Sequence, residues 1–160
     1  MNSILWQLTL RLKRKSYIAQ ISIFFAASFI MFLFVLPIIF MVDQLMGEND
    51  NGPELDLWFF VIILVPIFET YLFQHFPFKL MQKWKRTKHK YGLYIALSAI
   101  AFSLSHCYSL QYIIMVIPGG VLLGYIYVFY SKNLRKAFWT TTIIHALKNS
   151  VAIFALMFEN

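Results

Sequence analysis

The sequence predicts an all-α fold, a polytopic transmembrane helical bundle with about five spans. Hydrophobic residues make up 60% of the 160 residues and charged residues only 13%, which is too apolar for an ordinary soluble domain. Long apolar runs alternate with short clusters of Lys and Arg, and runs of this length are typical of membrane-spanning helices. Since no stretch between the runs is long enough for a second core, we expect residues 1–160 to form a single membrane domain.

The apolar runs divide the chain into five spans joined by short loops. The spans are expected at about 17–42, 57–78, 91–107, 111–130 and 137–158. A basic, amphipathic segment precedes the first span. This span is too long for the apolar core of a signal peptide, so we expect it to be retained. The loop at 43–56 is acidic and carries Asn-Gly and Gly-Pro turn signals.

The distribution of Lys and Arg predicts the orientation of the bundle. Four of these residues lie at 11–15, six at 79–90 and three at 132–136, which together make 13 of the 14 in the chain. A cytoplasmic N-terminus and five crossings place all three clusters on the cytoplasmic side, as the positive-inside rule requires. We therefore predict an N-in, C-out integral membrane protein. Because the clusters flank apolar runs, the net charge of +7 indicates the lipid bilayer as a partner and argues against nucleic acid.

Two backbone features of the spans stand out. Pro66 and Pro77 interrupt the hydrogen-bond ladder of the second span, and irregular backbone is tolerated in a membrane where it lines a cavity. In the fourth span, Gly120 and Gly124 form a G-x-x-x-G motif, which lets two helices approach closely. We favour internal packing over dimerisation for this motif.

A small set of polar residues lies inside the predicted spans. Glu69 is an intramembrane acid, which is costly in hydrocarbon and therefore marks a functional-site hypothesis. The set comprises Glu69, Thr70 and Gln74 in the second span, His106 at the end of the third, and His145, Lys148 and Asn149 in the fifth. A spacing of four places Thr70 with Gln74, Phe102 with His106, and His145 with Asn149 on shared helix faces.

These residue types suit the activation of water. A carboxylate can take a proton, an imidazole can orient water or stabilise an oxyanion, and an amide can donate a hydrogen bond. At 1.5 Å per residue, Glu69 and His145 both lie about 13 Å from the cytoplasmic ends of their spans, whereas His106 lies about 24 Å away. This mismatch leaves open whether His106 reaches the others. An ion pair between Glu69 and Lys148 in an inert bundle also stays open.

The ordered motifs resemble the CPBP family of CAAX protease and bacteriocin-processing membrane proteins, also called Abi. That family shows E-E-x-x-x-R, F-x-x-x-H and H-x-x-x-N or D on successive transmembrane helices. The matching residues are Glu69 to Gln74, Phe102 to His106 and His145 to Asn149, and the resemblance covers about 57–155. It implies an intramembrane endopeptidase of a bacterial cell membrane that cleaves a peptide or membrane-protein substrate near the cytoplasmic leaflet. Glu69 would activate water, with His106, His145 and Asn149 assisting.

The resemblance leaves the cofactor open. The family is often labelled as metalloprotease, although a metal-free glutamate mechanism is also argued. By residue type alone, Glu69, His106 and His145 are adequate zinc ligands. Zinc is therefore a possible cofactor, and none is certain.

The first motif departs from the family pattern at two positions. Thr70 stands in place of the second Glu, and Gln74 stands in place of the Arg. In the family pattern these two charged residues are four positions apart, and here both are absent. Loss of only one would leave a buried charge without a partner. The double replacement is therefore expected for a structural ion pair that has been exchanged for neutral residues. The same departure is what a catalytically silent member would show. The alternative function is thus a bacteriocin-immunity or membrane scaffold protein.

Overall fold

The computed structural model describes residues 4–46 and 58–156, and within these ranges the chain is helical and contains no strand. The acidic residues predicted for the loop at 48–56 lie outside the described residues. The all-α prediction is confirmed. The helices are α1 Ile4–Lys13, α2 Tyr17–Leu33, α3 Leu36–Met46, α4 Val65–Glu69, α5 Phe76–Lys83, α6 Tyr91–Leu104, α7 Leu110–Phe129 and α8 Leu134–Leu156, with π-helical turns at Phe60–Leu64 and Thr70–His75.

Among residues 4–46 and 58–156, three helical stretches are long and apolar enough to cross a membrane. They are Tyr17–Leu45, Phe60–Lys83, which we call the Glu69 helix, and Leu110–Phe129. Helix α6 is apolar but shorter, with 14 residues. Helix α8 has 23 residues, about 34 Å at 1.5 Å per residue. A helical membrane bundle fits these lengths, while the count of five spans and the N-in orientation stay predictions.

A tight helix–helix contact joins α6 to α7 at the G-x-x-x-G motif. A Cβ atom added at Gly120 would lie 3.0 Å from Ala99 Cα, and one added at Gly124 would lie 3.4 Å from Ile95 Cα. The two glycines therefore let the backbones of α6 and α7 approach each other within the chain, as small residues do in membrane bundles.

This contact makes Gly120 sensitive to a single methyl group. We expect Gly120→Ala to lower the free energy of unfolding by about 1–3 kcal/mol, because backbone atoms of α6 cannot move aside as a flexible side chain can. The matched control is Gly92→Ala, since a Cβ at Gly92 meets nothing within 4 Å. Thermal unfolding of both variants in detergent measures the difference. Equal melting temperatures for the two variants would contradict the close contact.

Helix α2 is attached to the same core by aromatic and polar contacts. The Phe24 ring packs edge-to-face on Phe129, with 5.2 Å between ring centroids. The hydroxyl of Tyr130 donates a hydrogen bond to Gln20 Oε1, and Tyr17 Oη lies 2.7 Å from Thr140 Oγ1 on α8. These contacts place α2 beside α7 and α8, where it forms one wall of the cavity described below.

Candidate active site

The first π-helical turn of the Glu69 helix has a chemical cause in Pro66. The N–H of Val65 donates to Phe60 O, five residues back. The next bond in this register would join residue 66 to Val61 O, but proline has no N–H. Asn149 Nδ2 on α8 donates to Val61 O instead, at 3.0 Å. The carbonyl that Pro66 frees is therefore satisfied by a side chain of the third family-like motif.

The second π-helical turn follows Glu69 directly and precedes Pro77. The N–H of Phe76 donates to Tyr71 O, again five residues back. Helix α6 supplies hydroxyl donors to carbonyls of this turn, with Ser98 Oγ 2.7 Å from Phe73 O and Tyr94 Oη 2.9 Å from Gln74 O. Turns of this type occur frequently at functional sites. Glu69 thus lies between two irregular turns that side chains of α8 and α6 hold in place.

Glu69 brings two histidines from different parts of the chain together. Its Oε1 lies 3.4 Å from His106 Nε2, and its Oε2 lies 3.3 Å from His145 Nε2. The side chain of Glu69 is 16% exposed and that of His145 is 5% exposed. The structure therefore places a largely buried carboxylate against two imidazoles, one at each oxygen.

His106 has a defined ring orientation. It follows the end of α6, and its Nδ1 donates to Phe102 O at 2.8 Å, so that Nε2 is the nitrogen that faces Glu69. In the neutral ring this assignment leaves Nε2 as a hydrogen-bond acceptor. The Phe102 ring packs against both His106 and His145, with centroid distances of 4.7 and 5.5 Å. Phe102 therefore acts as a spacer that supports both imidazoles.

The structure brings His106 into contact with Glu69 despite the predicted depth mismatch, and the Glu69 helix is also longer than expected. This helix continues to Lys83, whereas the sequence pattern placed its end at residue 78. At 1.5 Å per residue, Glu69 then lies about 21 Å from the basic end of its helix instead of about 13 Å. This value is close to the depth expected for His106. The predicted end at 78 was wrong because the apolar run stops before the helix does.

Several buried polar atoms near Glu69 have no hydrogen-bond partner among the described residues. Thr70 and Gln74 are completely buried. The unsatisfied atoms include Glu69 Oε2, Thr70 Oγ1, both polar atoms of the Gln74 amide, Thr141 Oγ1 and His145 Nδ1. Thr70 and Gln74 replace the two charges of the family motif with neutral groups in the interior. Buried groups of this kind are commonly satisfied by ordered water.

A cavity of about 340 Å³ opens beside the two histidines. Its walls are mostly apolar side chains from α2, α7 and α8, including Phe29, Phe32 and Met115. Its polar lining consists of His106, Tyr112, His145, Lys148, Asn149 and Ser28. Apolar walls with a few polar groups are typical of ligand sites, and this volume lies at the lower end of their usual range.

Lys148 lines this cavity and does not pair with Glu69. In the described part of the chain, the basic side chains that contact the Glu69 carboxylate are those of His106 and His145. The ammonium of Lys148 lies instead against Gly119, where an added Cβ would be 2.7 Å from Nζ. A direct structural ion pair between Glu69 and Lys148 is therefore not what the structure shows.

Comparison with protein families identifies the chain. The family of type II CAAX prenyl endopeptidases, Rce1-like, matches residues 51–151, which hold the three motifs and the Gly-rich helix. The chain belongs to this family. The Rce1-like family consists of intramembrane proteases, and with its apolar helices this chain is an integral membrane protein. Neither the curated proteins nor the solved structures yield a match.

Zinc stays a prediction for this Rce1-like site, and three observations bear on the fit of Glu69, His106 and His145 to it. Among the residues that the structure describes, no group of three His, Cys, Asp or Glu side chains is placed to hold a metal ion. The two oxygens of Glu69 face different histidines. A metal-bound histidine usually donates its other ring N–H to an acceptor, and His145 Nδ1 has no partner in the described chain.

Sequence reasoning missed two contributors to this Rce1-like site. Tyr112 on α7 lies over His106, with the rings nearly parallel and 6.0 Å between centroids. The carbonyl of Val61 fixes Asn149. The position of Pro66 five residues after Val61 is a usable signal for the second contact, once a π-helical register is considered. Tyr112 carries no such signal, because aromatic residues are abundant throughout the chain.

The contact between Asn149 and Val61 predicts a coupling with Pro66. We expect Asn149→Ala to lower the free energy of unfolding by about 1–3 kcal/mol, because the Val61 carbonyl then loses its donor. In a Pro66→Ala background, the N–H of residue 66 can donate to the Val61 carbonyl. Asn149→Ala should then lower the free energy of unfolding by a clearly smaller amount. A double-mutant cycle of detergent unfolding measures the coupling.

The control for this cycle is Ser150→Ala, because the Ser150 hydroxyl donates to Ala146 O within α8. Its effect should be independent of residue 66. If Asn149→Ala costs the same with Pro66 and with alanine at that position, the account of this π-helical turn is wrong.

Proposed function

We propose that the protein is an intramembrane endopeptidase in which Glu69 activates water for attack on a peptide bond. The observation that carries this proposal is the contact of one largely buried carboxylate with two imidazoles, 3.3 and 3.4 Å away, beside a cavity. A carboxylate in such surroundings is a suitable general base. Distances slightly longer than ideal hydrogen bonds are usual before the substrate binds.

The proposed reaction uses the described side chains only. Glu69 removes a proton from a water molecule, and the water oxygen forms a bond to the scissile carbonyl carbon. His145 Nε2 and the second N–H of the Asn149 amide donate to the developing oxyanion, and His106 orients the water through Nε2. When the C–N bond breaks, Glu69 returns the proton to the leaving nitrogen. The carboxylate ends the cycle in its starting state.

The substrate is proposed to be a peptide or a membrane-protein segment that enters from the bilayer or its cytoplasmic surface. Lys79 and Lys83 lie in the last turns of the Glu69 helix and the basic turn at 84–90 follows it, which fits a cytoplasmic location for that end. The site lies about 21 Å from Lys83 along the helix at 1.5 Å per residue. The scissile peptide bond must therefore enter the interior of the bundle to reach Glu69. This is expected of an enzyme that acts on an extended, partly apolar segment.

A catalytically silent member is the second candidate, and the neutral pair Thr70 and Gln74 favours it. Both side chains are completely buried and leave polar atoms without partners in the described chain. The site would then bind a peptide or partner helix without cleaving it, as in an immunity or scaffold protein.

Mapping of new peptide termini separates the two candidates. The purified protein is reconstituted in liposomes with a library of membrane-anchored peptides, and products are identified by mass spectrometry. The endopeptidase predicts new termini clustered at a narrow depth along the peptides and absent from protein-free liposomes. Retention of intact peptides on the protein without any new terminus would overturn the endopeptidase and support the silent member.

A further inference from the structure

Lys148 is a basic residue of the cavity that has no role in the proposed reaction. Of the described residues that line the cavity, Lys148 alone carries a formal charge. Asp43 and Glu69 are the acidic residues that the described part of the chain contains, and the basic side chains that contact Glu69 there are both histidines. An ammonium group kept in a bundle interior normally pairs with an anion or marks a substrate path.

The surroundings of Lys148 hold its ammonium at the cavity. The residue lies three positions after His145 on α8, so both side chains lie on one face of the helix. Gly119 on α7 leaves the space that the ammonium occupies, since a Cβ there would come within 2.7 Å of Nζ. The other walls near this end are apolar, with Met115, Val116 and Leu122 from the same helix. A mostly apolar cavity with one positive group that pairs with no acidic side chain of the described residues complements a ligand with apolar side chains and one negative group.

We propose that Lys148 is a specificity-determining residue that binds a carboxylate of the substrate peptide in this cavity. The carboxylate has two chemical sources, the C-terminus of the peptide or an Asp or Glu side chain near the scissile bond. Binding of this group would place the adjacent peptide bond beside His106 and His145, which line the same cavity. This inference rests on the proposed function for the identity of the ligand as a substrate.

Matched peptides in a binding assay test the role of Lys148 without cleavage. The protein carries Glu69→Gln, so that peptides stay intact, and affinities are measured in detergent by calorimetry. One pair is acetyl-Leu-Leu-Leu with a free C-terminal carboxylate and the same peptide as an amide. The second pair is acetyl-Leu-Glu-Leu amide and acetyl-Leu-Gln-Leu amide. The first pair reports on a terminal carboxylate and the second on a side chain.

We expect the acidic member of one pair to bind about tenfold or more tightly than its neutral twin, as for a charge-assisted hydrogen bond. Lys148→Met should remove this preference while the neutral peptides keep their affinity, and Lys148→Arg should retain it. Gly119→Ala should weaken it by displacing the ammonium. Equal affinities within both pairs, or a preference that survives Lys148→Met, would overturn the proposal.

The assay also separates this inference from the proposed function. A carboxylate preference that depends on Lys148, together with no new peptide termini from the unsubstituted protein in liposomes, would support the binding role and overturn the endopeptidase. Cleavage by the unsubstituted protein without any carboxylate preference would support the endopeptidase and overturn the role of Lys148.

Discussion

Replacement of Glu69 by Gln is expected to reduce peptide cleavage by about 10²- to 10⁴-fold, the usual contribution of a general base. The amide has the shape of the carboxylate but cannot accept the proton of the attacking water. Because the change also removes a charge from the bundle interior, stability should not fall. Initial cleavage rates in liposomes and melting temperatures in detergent measure the two effects.

The matched control for Glu69→Gln is Asp43→Asn. Asp43 is the other acidic residue of the described chain, and it lies on α3 outside the residues that line the cavity. Its amide variant should cleave at the rate of the unsubstituted protein. A Glu69→Gln protein that is folded and cleaves at the unsubstituted rate would rule out Glu69 as the base.

Replacement of His145 by Leu is expected to reduce cleavage by about 10²- to 10³-fold, the range found when one oxyanion donor is removed. Leucine fills a similar volume but has no N–H to offer. His145→Gln should recover part of the loss, because its amide can donate near the position of Nε2. The cleavage rates of the two variants, measured at equal amounts of folded protein, check this expectation.

The control for the His145 variants is His89→Ala, since His89 is exposed in the basic turn before α6. This change should leave the rate unaltered. If His145→Leu and His145→Gln lose activity equally and also lose stability equally, the role of His145 is packing and not donation.

The overall fold was accessible from the sequence because apolar runs and basic clusters constrain it strongly. An all-α bundle and the family membership were both predicted and both hold. The placement of the helix ends was less accessible. Lys79 and Lys83 were read as loop residues, yet they belong to α5, because long basic side chains can extend to the membrane surface while the helix continues.

The pairing of side chains in the site followed only partly from the sequence. The order of motifs predicted Glu69, His106 and His145 as partners, and their catalytic roles stay proposals. The position of the Lys148 ammonium was not predictable, because it depends on the space that Gly119 leaves on another helix. The hydrogen bond from Asn149 to Val61 O was also not predictable from hydrophobic patterns. It depends on a π-helical register, which such patterns do not encode.

We propose that Glu69 and His145 act as one unit on the same water and carbonyl group. Residues that act as a unit are strongly non-additive, so removing the second after the first has little further effect. The decisive measurement is the cleavage rate of the Glu69→Gln/His145→Leu double variant compared with both single variants. We predict a rate close to that of Glu69→Gln alone. A double variant slowed by the product of the two single effects would show that the two residues act independently and would contradict the claim.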